Sequence, residues 1–479
     1  MIYDVVIVGA GVTGGMLARE LSRYDLKVCI AEKENDVATG ASRANSGIVH
    51  GGYDPVPGTL KARLNAEGVE LLFAAAQELH VPHKRNGSMV CAFSPEEEPV
   101  LQELYDQGIA NNIPGLKLLS GDEARALEPQ LSEKITKVLH VTNAGIICPY
   151  ELTVAAIGNA MDNGVELVRE FAVTAITRDD DIITLTAADG RTLRTRYAVN
   201  CAGGFSDKIA NMVGDSHFHI IPRAGEYMLL DKVEGSRVSH TIFQVPTKEG
   251  KGILVTPTVD NNLLVGPTAS VVANPESRDT TPEGLSIVNR LAAKSVPSVD
   301  FRQVITSFTG VRATGSTGEF ILEPSKAMPG MIHAAGIDSP GLTCCVSIAK
   351  YLVALLLEQG LHLTQKTDWN GHRADPHAFR KMTDEEKNAY IQENPAYGKI
   401  VCRCETVSEG EILAAIRNNP AARDIDGVKR RTRSGMGRCQ GGFCGPYIME
   451  LLAQEMNIPL EDVTKSGGDS RMVIGKVGM

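Results

Sequence analysis

Four cysteines stand in two close pairs near the C-terminus, Cys402-x-Cys404 and Cys439-x₄-Cys444. Thiolates that can converge are the ligands of zinc and of iron–sulfur clusters. Structural zinc sites usually separate paired cysteines by about two to four residues. The first pair is tighter than that and the second lies at the upper limit, so iron–sulfur, zinc and metal-free thiols all remain open from spacing alone. The other end of the chain carries Gly9-Ala-Gly11-Val-Thr-Gly14, followed at residue 32 by an acid, Glu32. Glycines at that spacing allow a tight turn, close approach of backbone to a pyrophosphate, and close helix-to-strand packing. The acid suits a ribose hydroxyl. A carrier of electron pairs and a site for single electrons would then share one polypeptide.

The elements that must hold these residues can be read around them. Tyr3-Asp-Val-Val-Ile-Val8 has the continuous apolar character of a buried parallel strand. Met16-Leu-Ala-Arg-Glu-Leu21 has helical period, and Lys27 to Glu32 predicts a second strand. Similar apolar strands ending in glycine turns recur at 195–204 and 331–336. The second of these is followed by Ile337-Asp-Ser-Pro-Gly341 and a helix carrying Leu342 to Leu357. A helix N-terminus there would offer N–H groups to a cofactor anion. Nucleotide-domain segments returning so late favour FAD over a simple nicotinamide enzyme, and the intervening residues must form an inserted second domain.

Composition sets the outer limits. A chain of 479 residues exceeds one core. With 43% hydrophobic and 22% charged residues it reads as an ordinary globular protein. A net charge of −10 argues against nucleic acid as a partner. The longest apolar run, Tyr351 to Leu357, is too short for a membrane span and reads as a buried helix, and Met1 leads directly into a strand, so a cytoplasmic protein is expected. Six cysteines (Cys29, Cys91, Cys148, Cys201, Cys344, Cys345) lie in apolar segments and read as small buried hydrophobes. Residues 362–398 are polar, Pro-punctuated and hold the single tryptophan, Trp369. They read as a segment wrapping the nucleotide domain.

Residues 1–360 resemble the superfamily of FAD-dependent glycerol-3-phosphate dehydrogenases, L-2-hydroxyglutarate dehydrogenases and D-amino-acid oxidases. The resemblance rests on Gly9, Gly11, Gly14 and Glu32, on Ser42-Arg-Ala-Asn-Ser-Gly-Ile-Val-His50-Gly-Gly, on Asn200-Cys-Ala-Gly-Gly, on Gly310-Val-Arg312, and on Ala335-Gly-Ile-Asp-Ser-Pro-Gly341. The Asn45 to His50 stretch followed by Pro57 to Ala62 is nearest the hydroxyglutarate branch. Residues 399–470, with Val401-Cys-Arg-Cys-Glu405 and the run Arg430 to Cys444, resemble the C-terminal domain of the anaerobic glycerol-3-phosphate dehydrogenase catalytic subunit, which is similar to bacterioferritin-associated ferredoxin. That resemblance implies a 2Fe–2S centre on Cys402, Cys404, Cys439 and Cys444.

The implied fold is α/β (α+β overall): a Rossmann-like FAD-binding domain from 1–85, 141–212 and 308–362, an inserted mixed-sheet substrate domain from 86–140 and 213–307, a linker over 363–398, and a small helical iron–sulfur domain over 399–479. The motifs imply cofactor contacts from Gly9, Gly11, Gly14, Glu32, Ser42, Asn45, Ser46, Gly203, Gly336, Gly341, Leu342 and Thr343. Arg312 is expected to anchor an anionic substrate, since a guanidinium fork suits carboxylate or phosphate. His50 is the candidate base, with His240 the second choice. Arg223 and Lys251 could add positive charge, and His333, inside an apolar strand, reads as structural. Lys429, Arg430, Arg431, Arg433 and Arg438 crowd the second cysteine pair, to offset cluster charge, to dock an acidic partner, or simply as a solvated helix face.

The expected reaction is oxidation of sn-glycerol 3-phosphate to dihydroxyacetone phosphate, with electrons leaving through the 2Fe–2S centre. The expected acceptor is a second flavoprotein or an iron–sulfur subunit, with any membrane association peripheral and through that partner. An L-2-hydroxy acid dehydrogenase, an amino-acid oxidase and a non-catalytic electron-transfer subunit are the rivals.

Overall fold

Every side chain of Tyr3–Val8 except Asp4 is buried, as expected of a parallel strand covered on both faces. The computed structural model describes residues 1–246 and 252–475, and in it this strand lies within an eight-stranded sheet. It pairs in parallel with Val28–Ala31 on one side and Thr192–Asn200 on the other, with Val5 opposite both Val28 and Tyr197. Glu166–Val168 and Met331–Ala335 extend the parallel run at its two sides. The hairpin Val173–Asp179/Ile182–Ala187 and the strand Ile321–Pro324 add antiparallel edges. Strands from residue 3 to residue 335 thus share one sheet.

Helices Val12–Leu21, Leu60–Glu78, Pro149–Asp162 and Gly341–Glu358 pack around Leu17, Leu72, Leu152, Ile348 and Leu352, all fully or almost fully buried. The last helix corrects the sequence reading on one point. It has the length and apolar composition of a membrane span, although Ser347, Lys350 and Tyr351 interrupt the apolar run. Sixty-seven percent of it is buried in the fold, where it packs on Val12–Leu21 and Leu60–Glu78 as a core helix.

A nine-stranded mixed sheet forms the second layer system. Ser88–Ala92 and Thr241–Gln244 pair in parallel, and the other pairings are antiparallel. Helix Pro282–Ser295, capped by the Thr281 hydroxyl, covers a core around Met89, Ile242, Val255, Val265 and Val288. The long strands Ile220–Leu230 and Val304–Gly315 pair over most of their length. The chain therefore crosses back toward the first sheet after Gly315 rather than at 308.

Three helices, Glu409–Arg417, Ile425–Thr432 and Gly445–Met456, build the C-terminal unit around Val407, Ile412, Val428, Ile448 and Leu452. Ser408 and Glu411 form a capping box on the first helix, which fixes where it starts. The segment before it lies along the first layer: the Trp369 indole donates to Ser22 Oγ (3.1 Å), Arg23 stacks on its ring at 4.1 Å, and Arg373 pairs with Asp162 at 2.8 Å.

Candidate functional site

The nucleotide end is made largely of backbone. Gly9 has φ +110°, and a Cβ there would lie 2.6 Å from Cys201 O; one on Gly14 would lie 2.1 Å from Gly9 O. Only glycine lets strand, turn and helix approach so closely. Helix Val12–Leu21 begins at Gly11 without a side-chain cap of its own. The Val12 N–H instead donates to Ser42 Oγ at 2.9 Å. Glu32, 7% exposed, accepts the Ala10 N–H (2.7 Å) and the Glu34 N–H (3.0 Å). Burial raises its pKa, and those two amides oppose the rise.

A single cavity of about 1150 Å³ runs from Gly9, Gly11 and Glu32 past Ser42, Asn45 and Ser46 to His50 and Arg312. Its continuity and its glycine-lined, helix-headed end fit a dinucleotide cofactor laid along it.

At the far end, Arg312 and Arg223 stand directly opposite each other across the antiparallel register, and both line the cavity. Residues paired in this way share one face of the sheet. Arg312 Nη1 donates to Thr268 O at 3.5 Å. Among the described residues neither guanidinium has a carboxylate within ion-pair distance. Gly225 leaves room for the pair: a Cβ there would sit 3.1 Å from Arg312 Nη2. Tyr227, next along this face, stacks on Phe308 at 4.8 Å. Burial pushes its phenol up, against hydrogen bonds with Arg312 and Ser46.

His50 is buried and stacks on Tyr53 at 4.8 Å. Its backbone N–H donates to Thr343 Oγ1 (2.8 Å), and its Nδ1 accepts the Gly52 N–H at 3.3 Å. The neutral ring with this bond carries its proton on Nε2.

The cysteine site is built from side chains. Cys402 and Cys444 are 2% exposed, whereas Cys404 is exposed and Cys439 half-buried. Cys404 and Cys439 stand 3.7 Å apart, Sγ to Sγ. A hydrogen bond with Cys444 pulls the Cys402 thiol down to about 6, helped by N–H groups of Gly435 and Glu405. Backbone N–H groups of Phe443, Gly441 and Gly442 likewise lower Cys439. Gly437 admits Cys404, whose Cβ would lie 2.3 Å from a Cβ placed there. Among the described residues no three or more His, Cys, Asp or Glu side chains gather as for one metal ion. The arrangement is two thiol pairs, one inward and one outward, with amide donors around them. That donor set fits a 2Fe–2S centre, in which each iron takes two thiolates and amides stabilise the sulfurs.

Three expectations change. His240 lies outside the cavity; its Nδ1 is 2.8 Å from Glu128 Oε1 and its ring packs on His140. Its position just before Thr241–Gln244 carries it to the side of the sheet where Glu128 and Ser239 meet. The basic run beside the cysteines is not an open face. Arg430 and Arg431 bind Asp36, which is 0% exposed, at 2.5 and 2.7 Å. Arg433, ending its helix at φ +67°, binds Asp260 (2.6 Å), Glu405 (3.0 Å) and the Tyr150 hydroxyl (3.1 Å). Burial lowers Lys429. Arg438 alone of the five is exposed, paired with Asp231 at 2.9 Å. Apart from Glu405, the partners named come from the first 260 residues, so the run ties the C-terminal unit to the rest.

Third, Gly14, Gly336 and Thr343 do not line the cavity. Gly14 sits under Gly9, Gly336 against Gly315, and Thr343 holds the His50 backbone. Gly203, Gly341 and Leu342 do line it. Lys251 lies outside the described residues. His333 is fully buried and bonded to Asp215 (2.9 Å) and Asn200 (3.2 Å). Tyr227 was missed, although the alternation Arg223, Gly225, Tyr227 along one strand face signals it.

Comparison with known proteins accords with both ends. Residues 400–454 match the BFD-like [2Fe-2S] binding domain. A glycerol 3-phosphate dehydrogenase of Caloramator mitchellensis is 43% identical over 99% of this chain and 98% of that protein. A glycerol 3-phosphate oxidase of Mycoplasma genitalium is 33% identical over 77% of this chain and 97% of its own. The FAD-bound L-alpha-glycerophosphate oxidase of Mycoplasma pneumoniae superposes with a TM-score of 0.75 at 31% identity, covering 78% of this chain and 98% of that one. Residues 4–355 match the FAD dependent oxidoreductase family, and the chain is a member of that family with a C-terminal 2Fe–2S domain.

Proposed function

We propose that this enzyme oxidises sn-glycerol 3-phosphate at C2 to dihydroxyacetone phosphate and releases the electrons through the 2Fe–2S centre to a protein acceptor. The facing pair Arg223 and Arg312 carries the reading. Two guanidiniums directly opposite each other repel, and a group with two charges on one phosphorus relieves that repulsion by accepting from both forks. A carboxylate brings one charge to the same place, so the pair favours the phosphate over a hydroxy acid. The relatives named as acting on glycerol 3-phosphate support the same substrate.

When bound, FAD supplies the hydride acceptor and the 2Fe–2S centre holds one electron at a time. In this proposal Arg312 and Arg223 hold the phosphate, and Tyr227 keeps Arg312 in place. His50 takes the C2 hydroxyl proton. To take it, the ring gives up or re-forms its Nδ1 bond to Gly52, a cost of about 0.5–1.5 kcal/mol for one neutral hydrogen bond. Thr343 holds the backbone on which that ring turns. The acceptor, a second flavoprotein or an iron–sulfur subunit, meets the outward thiols Cys404 and Cys439 beside Phe443, which is 87% exposed. Such an enzyme works in the cytoplasm and reaches a membrane only through its acceptor.

Substrate preference tests this. With sn-glycerol 3-phosphate, Arg312→Ala should raise KM about 10–100-fold, as expected for lost charge-assisted bonds of about 1.5–3 kcal/mol, with FAD retained. Arg223→Ala should do the same to a lesser degree. Flavin bleaching by L-2-hydroxyglutarate but not by sn-glycerol 3-phosphate would refute the assignment. His50→Ala should slow bleaching about 10²–10⁴-fold; an undiminished rate across pH would remove it as the base.

A further inference from the structure

The cavity and the thiol pairs lie in separately built parts of the molecule, and electrons have to cross between them. Each gap between atoms slows that transfer, so the side chains closing the gap matter. On the cavity side, Asn45 and Ser46 line the wall and Gly47 follows them. Gly47 O accepts the Ile147 N–H at 2.8 Å, and a Cβ on Gly47 would touch Pro149 Cδ at 3.5 Å. Tyr150 comes next in the chain, in the first turn of helix Pro149–Asp162. Its hydroxyl lies 3.4 Å from Met436 Sδ and accepts from Arg433 Nη1 at 3.1 Å.

Met436 sits between Gly435, whose N–H bonds Cys402, and Gly437, which packs against Cys404. Among the described residues, Tyr150 is the aromatic side chain that hydrogen-bonds across this boundary. The other crossings are ion pairs or amides, and the Asp36 pairs join the helix Ile425–Thr432 rather than the cysteine loop.

We infer that Tyr150 and Met436 form the contact through which electrons pass from the flavin cavity to the inner side of the cysteine site, with Arg433 as the positioning residue. The inference rests on the proposed route from FAD to the 2Fe–2S centre. The balance is simple. The substrate C2–H bond breaks and its electron pair goes to FAD as hydride, while the hydroxyl proton goes to His50. The two electrons then leave singly, each reducing the oxidised cluster once, the proton that came with the hydride goes to solvent, and a one-electron acceptor outside restores the cluster between transfers.

Anaerobic single-turnover mixing with sn-glycerol 3-phosphate tests it, following flavin bleaching by absorbance and cluster reduction by freeze-quench electron paramagnetic resonance. Tyr150→Leu should leave bleaching at the wild-type rate and slow cluster reduction about tenfold, equivalent to about 1.4 kcal/mol of barrier. Tyr150→Phe and Met436→Leu should slow it less. Iron and sulfide content, and direct cluster reduction by dithionite, should match wild type in all three, which a merely structural role would not predict. Unchanged cluster reduction in Tyr150→Leu and Met436→Leu would overturn this contact alone. A wild-type cluster that dithionite reduces but substrate never does would overturn the route itself.

Discussion

The two redox ends of this chain are made in opposite ways. The nucleotide end is backbone: Gly9 and Gly14 set distances, the start of helix Val12–Leu21 faces the cavity, and Glu32 is held by two amides. It sits on a mixed sheet whose parallel core strands come from across 330 residues. The cysteine end is side chain: two thiols at and just after the strand Ile400–Cys402, and two on the loop that ends at helix Gly445–Met456, in a unit whose core is a dozen residues. That unit is joined to the rest by buried ion pairs, Asp36 with Arg430 and Arg431 and Arg433 with Asp260. The first end is positioned by the core it grows from. The second depends on an interface, and its position is more easily disturbed.

The largest separation of the two ends should come from Cys444→Ala. Losing one of four thiolates should abolish the cluster and all transfer to a protein acceptor, while FAD stays bound and substrate still bleaches it. Iron analysis and flavin absorbance read both at once. Loss of FAD in the same variant would mean that the two ends are not independently built.

Next in size is the joint between them. Burial alone would raise Asp36, but Arg431 and Arg430 outweigh it and hold the carboxyl far below the usual range. A carboxyl depressed in the folded state stabilises above its unfolded pKa, about 3.9, and that contribution is lost as pH falls toward the folded value. The C-terminal unit should therefore loosen below about pH 4, earlier than the flavin-binding layer. Asp36→Asn leaves two buried guanidiniums short of a counter-charge and should cost about 3–5 kcal/mol. Limited proteolysis and calorimetry should show the C-terminal unit melting separately. A single transition at the wild-type temperature would contradict the interface account.

The smallest effect expected is at the outward face. Phe443→Ala should slow turnover with a protein acceptor by a few-fold, about 1 kcal/mol for one rim side chain, and leave transfer to ferricyanide unchanged. Equal rates with both acceptors would remove Phe443 from the docking surface.

This contrast also explains what could be read in advance. The glycine motif and Glu32 were legible because backbone geometry demands glycine and acid at set spacings. The four cysteines were legible by residue type. That the arginine run is buried was not legible, because its partners, Asp36 and Asp260, are remote in sequence and nothing near the run names them. His240 was misplaced because it precedes the strand Thr241–Gln244, whose far end (Phe243, Gln244) is the part that lines the cavity, and because its partner Glu128 is remote in sequence. The pairing of Arg223 with Arg312 depends on strand register, and neither residue alone announces it.

The central claim is that one substrate feeds both ends in order. Anaerobic mixing with sn-glycerol 3-phosphate, followed at the flavin and cluster bands, tests it most directly. The account predicts flavin bleaching first and cluster reduction second, at the same substrate dependence. Cluster reduction preceding bleaching, or no bleaching with this substrate, would contradict it.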